Sequence, residues 1–158
     1  MMQKKVQIIS DGSLDLSQEL TKEKDIEVVP FYVSFDSETY QKEMVEVGVR
    51  EFYQEMVDHP TVFPKTSMPS VHDYYEVFEK HAKEKMPVIC ICITRKFSGS
   101  LQSATTAKDM ILEEYPDAQI TVIDSTVNTV LQGLYVLEAC RLRDMGLEYQ
   151  QIVDALLP

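Results

Sequence analysis

The residues best suited to chemistry are hydroxyls and carboxyls placed where apolar runs end. Ser98-Gly99-Ser100 stands between the continuous run Pro87-Val88-Ile89-Cys90-Ile91-Cys92-Ile93 and a stretch in which Leu101, Ala104, Ala107, Ile111, Leu112 and Tyr115 recur at helical spacing. A strand buried on both faces that enters a helix through this turn makes Ser98 the N-cap, with the first amides of the helix unpaired beside it. Such a turn can receive an anion, although taken alone it is more often a plain helix cap. Two carboxyls close other β-rich runs: Asp11 after Val6–Ser10, and Asp124 after Gln119–Ile123, with Ser125 next to it. Thr66-Ser67 lies in Thr61–Pro69, which three prolines, counting Pro60, hold extended and able to lie over the strand ends.

These groups are donors for an oxyanion. A carboxylate or phosphate taken out of water needs hydrogen bonds, and serine and threonine hydroxyls with free helix amides supply them without adding charge. His59, His72 and His81 fall on helix ends or polar faces and form no triad with a serine, so no catalytic residue is nominated. Asp11 and Asp124 lack a third ligand cluster, so no metal is expected; as strand-end acids they order the hydroxyl-bearing loops. Arg95 and Lys96, two adjacent cations, fit either a phosphorylated head group or a solvated loop.

The elements that position these residues are read from periodicity. Val6–Ser10 reads as a strand leading through a loop into a short capped helix at Asp15–Leu20. Ile26–Phe35 reads as one strand interrupted by Pro30, which implies an edge position or a bend after Val29. Val49, Phe52, Tyr53, Met56 and Val57 fall in the series of an amphipathic helix. Ser70 and Asp73 make a capping box before the stripe Val71, Tyr74, Tyr75, Phe78 and Ala82. Val127–Leu142 is apolar almost throughout, as in a helix buried on more than one side. Gly146 closes it before the amphipathic Tyr149–Leu157. Strands alternating with helices predict a three-layer α/β/α domain with a mainly parallel sheet, its ligand beyond the carboxyl ends of the strands.

A chain of 158 residues suits one such domain. Its net charge of −11 disfavours nucleic acid and anionic membranes, and no apolar run reaches the ~20 residues of a membrane span, so a cytoplasmic protein without stable membrane insertion is expected. Cys90 and Cys92 share one face of a strand and are ill placed for a disulfide; with Cys140 they read as reduced core residues. An ending inside an amphipathic helix, after a strongly apolar one, suggests a fragment or a chain that packs against another.

Four segments taken together, Ser10-Asp11-Gly12-Ser13-Leu14-Asp15-Leu16, Thr66-Ser67-Met68-Pro69-Ser70, Phe97-Ser98-Gly99-Ser100-Leu101-Gln102-Ser103-Ala104 and Ile123-Asp124-Ser125, resemble the DegV family of bacterial fatty-acid-binding proteins. The family patterns are T-D-S-x-x-D-L, T-S-x-P-S, L-S-G-T-Y-Q-S-A and I-D-S. The resemblance covers nearly the whole chain and implies the first lobe of a two-lobe protein, the second lobe lying outside this sequence. It implies further that a long-chain fatty acid is the ligand, its carboxylate held by Thr66 and Ser98 with Gly99 and Ser100 beside it and Asp11, Ser67, Asp124 and Ser125 in support. No other cofactor is implied. The catalyst would be a separate fatty acid kinase subunit, which phosphorylates the presented carboxylate, and this chain would be a carrier rather than an enzyme. Gly12 departs from the pattern by lacking a hydroxyl, so no binding role passes to it; Ser10, Ser100 and Leu101 depart as well. Two other readings remain: an enzyme or sensor that binds the phosphate of a phosphorylated small molecule, and an interaction domain whose C-terminal helices pair with a partner.

Overall fold

The two strands buried along their whole length, Gln7–Asp11 and Val88–Cys92, lie at the centre of a parallel sheet. The computed structural model describes residues 5–157. In chain order these form β1 (Gln7–Asp11), a 3-10 turn (Gly12–Leu14), α1 (Gln18–Glu23), β2 (Ile26–Val29), β3 (Tyr32–Ser34), β4 (Gln41–Lys42), α2 (Val49–Asp58) and β5 (Lys65–Ser67). The second half of the chain forms α3 (Val71–Lys83), β6 (Val88–Cys92), α4 (Ser100–Glu114), β7 (Ile120–Asp124), α5 (Thr129–Asp144) and α6 (Tyr149–Leu156). The strand order is β2-β1-β6-β7, every pair parallel.

Side-chain alternation divides the sheet into two cores. On one face Ile9, Cys90 and Cys92 meet Tyr74 and Phe78 of α3 and Ala104, Ala107 and Ile111 of α4. On the other, Ile8, Ile89 and Ile91 meet Val136 and Cys140 of α5 and Ile152 and Leu156 of α6. The three cysteines are buried and free, with the Cys90 and Cys92 Sγ atoms 3.8 Å apart. The chain is thus α/β in three layers, as the alternation of elements predicts.

Four expectations change. Pro30 does not merely bend one strand: it ends β2, which is the edge of the parallel sheet, and sends the chain into a second, antiparallel sheet of order β4-β3-β5. α2 forms over its periodic residues, yet none of them is buried. α5 is not covered all round, because Val130, Leu131 and Leu134 stand 54%, 60% and 56% exposed. The unpartnered apolar surface therefore lies on these helices, whereas α6 seats Ile152, Val153 and Leu156 in the core. His81 is also not on a polar face: it is buried on Glu27, with Nε2 2.6 Å from Oε2.

The small sheet is fastened to α3 through the capping box. Asp73 Oδ2 accepts from the Ser70 amide (2.8 Å) and hydroxyl (2.6 Å), while Oδ1 accepts from Tyr32 Oη (2.8 Å) and pairs with Lys42 Nζ (3.1 Å). Burial alone would raise this carboxyl, but the Ser70, Tyr32 and Lys42 contacts outweigh it and hold the pKa at about 2. A depressed folded-state value gives stability that is complete above the unfolded value near 3.8 and is lost as pH falls through about 2. Asp73→Asn is expected to remove about 2 kcal/mol at pH 7 and much less at pH 2, read from urea unfolding at both pH values. An equal loss at both would show that the charge contributes nothing.

Candidate functional site

The parallel strands β1, β6 and β7 end side by side, and Asp11 organises the loops beyond them. Its side chain is fully buried. Oδ2 accepts from the Ile93 amide (2.9 Å) and the Ser100 hydroxyl (2.8 Å); Oδ1 accepts from Gln132 Nε2 (2.8 Å) and the Ser13 amide (3.2 Å). One carboxylate thus joins the end of β6, the start of α4, the 3-10 turn and α5. Burial raises its pKa, and these four hydrogen bonds oppose the rise.

Ser100 is drawn inward by this hub. Its Oγ donates to Asp11, so the 2.6 Å contact with Tyr74 must have the tyrosine as donor. Cys92 Sγ lies 3.6 Å from the same Tyr74 oxygen and extends the chain of polar groups. The Ser100 amide is bonded as well, to Ser98 Oγ at 3.1 Å. Helix α4 begins at Ser100 with Gly99 as its N-cap, so the cap stands one residue later than the sequence suggests, and Ser98 serves it from outside.

Ser98 is half-buried, in a loop folded back on Thr94, whose carbonyl accepts from the Phe97 (3.0 Å) and Ser98 (3.3 Å) amides. Among the described residues nothing accepts the Ser98 hydroxyl proton, which leaves it to donate outward. Thr66 is exposed on β5 opposite Val33, and Ser67 is exposed opposite Tyr32. Asp124 accepts from the Thr126 amide (2.9 Å), with Arg95 Nε 3.6 Å away on its other oxygen. Ser125 is buried and donates to the Val127 carbonyl (3.0 Å). Both therefore brace the β7–α5 loop. Among the described residues no three His, Cys, Asp or Glu are grouped to hold a metal.

Two contacts that the sequence does not announce bring the small sheet onto the strand ends. Met68 lies against Gly99, where an added methyl would come within 2.6 Å of its Sδ. Glu43 lies over Gly12, where an added methyl would collide with its Oε1. Gly12 thus makes room for a carboxyl rather than simply losing a hydroxyl. The contact at Gly99 sets the Thr66-Ser67-Met68 segment against the Ser98 loop. In extended chain, residues two apart share a side, which turns Thr66 the same way as Met68.

A cleft of about 1260 Å³ runs beside this junction, and its walls include Leu16, Val28, Val33, Val47, Phe52 and Thr66. Ser98, Gly99 and Ser100 are not among its lining residues. Gln132, the buried polar residue of α5, is missed in the sequence; its one signal is an amide inside an apolar run.

Hydroxyls and a helix start at adjoining strand ends, with a large, partly apolar cleft alongside, are the arrangement in which α/β domains take ligands. The chain belongs to the DegV family, whose model, described as "Uncharacterised protein, DegV family", matches residues 5–157. It is 33% identical over 153 residues to a DegV domain-containing protein of Clostridium acetobutylicum, covering 97% of this chain and 53% of that one. A stearic acid-binding protein from Eubacterium ventriosum is 46% identical and superposes with a TM-score of 0.91 over 96% of this chain and 52% of its own. A fatty-acid-binding DegV family protein from Thermus thermophilus is 29% identical, with a TM-score of 0.78 over 96% of this chain and 52% of that one. The chain spans about half the length of the relatives it matches.

Proposed function

We propose that this chain is the first lobe of a two-lobe lipid-binding protein, and that it holds a long-chain fatty acid with the carboxylate at Thr66 and Ser98 and the tail in the cleft. The observation that carries this reading is the 46% identity and common fold with a protein described as stearic acid-binding. The cleft supports it, being larger than the usual ~300–1,000 Å³ of small-molecule sites and apolar along Leu16, Val28, Val33, Val47 and Phe52. Those walls favour an acyl tail over a phosphorylated small molecule. In this reading Ser100 and Asp11 support the cradle from beneath, while Ser98 and Thr66 touch the ligand.

The chain acts as a carrier. Neutral hydroxyls orient a carboxylate yet leave its oxygens reactive, which suits presentation to a separate ATP-using fatty acid kinase in the cytoplasm. Most of the affinity comes from the tail, at about 0.8 kcal/mol per buried methylene. The exposed Val130, Leu131 and Leu134 are assigned to the contact with the second lobe. Native mass spectrometry of the purified protein is expected to show one acyl chain per molecule, or uptake of one added stearic acid. Absence of both would overturn the proposal.

A further inference from the structure

Glu43 is among the residues lining the cleft proposed to take the acyl tail. Its Oε1 accepts from the Phe31 amide at 3.0 Å and rests over Gly12, which fixes the group in place. That bond requires one oxygen. The second, Oε2, has no protein donor among the described residues. A methylene chain laid against such an oxygen removes its water and returns nothing, so a plain acyl chain is penalised there.

We infer that the cleft selects acyl chains bearing a hydroxyl group along their length, and that Glu43 is the residue that recognises it. This rests on the fatty-acid reading of the cleft. β4 and β5 flank β3, with Glu43 bonded to Phe31 and Thr66 opposite Val33, so the two stand two strand spacings apart and two residues out of register, about 12 Å in all. With the carboxylate at Thr66, the hydroxyl belongs several carbons down the tail rather than beside the head group. Burial raises the Glu43 carboxyl, with the Asp11 charge adding to the rise. The pairing survives either protonation state, because a hydroxyl can donate to a carboxylate and accept from a carboxylic acid.

The test compares stearic acid with 3-, 10- and 12-hydroxystearic acids by calorimetric titration. At least one of the 10- and 12-hydroxy acids is expected to bind about fivefold or more tightly than stearic acid, the worth of one net hydrogen bond. The 3-hydroxy acid should gain nothing. Glu43→Met, of similar length without the acceptor, should bring the preferred acid to parity with stearic acid or below. Glu43→Gln retains the bond to Phe31 and offers the hydroxyl an amide donor in place of the carboxyl, so it guards against a folding defect in the first variant and should keep the preference. Equal binding of all four acids by the wild type, a preference unchanged in Glu43→Met, or a preference lost in Glu43→Gln overturns the inference and leaves the fatty-acid reading standing. Binding of none of the acids overturns both.

Discussion

With Thr66 and Ser98 both changed to alanine, stearic acid is expected to bind at least about a hundredfold more weakly. A hydrogen bond to a charged group contributes about 1.5–3 kcal/mol, so each hydroxyl accounts for about tenfold at the least, and a hundredfold is the lower bound for the pair. The tail contacts are untouched, and binding should weaken without vanishing. The fold should be unaffected at Thr66, which is exposed, and little affected at Ser98, whose Oγ accepts a single bond from the Ser100 amide. Stearyl alcohol gives the control: it lacks the carboxylate, so its affinity should hardly differ between the wild type and the double variant. A double variant with wild-type affinity for stearic acid would place the head group elsewhere.

Asp11→Ala is expected to lower stability by about 3–5 kcal/mol, which for a chain of this size corresponds to roughly 10 °C in Tm. Four donors converge on this buried carboxylate, and alanine leaves them facing one another. Asp11→Asn should cost less, because Gln132 can turn over. Its Oε1 is buried without a partner, and turned toward an asparagine amide it would accept a hydrogen bond. Adding Gln132→Met to Asp11→Asn removes that accommodation, so the double variant should fall toward the alanine value in calorimetry. If the asparagine variant unfolds with the alanine one, Gln132 offers no such adjustment. The pH sign is opposite to that of Asp73. A carboxyl raised by burial adds stability below its unfolded value and loses it as pH rises through the folded one.

Much of the parallel sheet is legible because burial on both faces writes itself as unbroken apolar runs, as in Val88–Cys92. The small sheet is not legible, because β4 has two residues and β5 three, too few to show an alternation, and Pro30 looks alike whether it bends a strand or ends it. Periodicity at Val49–Val57 correctly gives a helix, but it reports an apolar face and says nothing about what covers it. In the candidate site, the placing of Asp11 and Ser98 at neighbouring strand ends is a product of topology. The inward turn of Ser100 is not, since it depends on Tyr74 arriving from another helix. Glu43 and Met68 carry no pattern at all; their roles come from opposing a glycine across space.

The two glycine seats have a mechanical consequence. Glu43 on Gly12 and Met68 on Gly99 are point supports on loops from adjacent strands, and two supports define an axis without fixing rotation about it. Asp73, gripping Tyr32 and Lys42 from α3, is the third support. Three points locate a rigid body, so the small sheet is mounted like an instrument on a kinematic base.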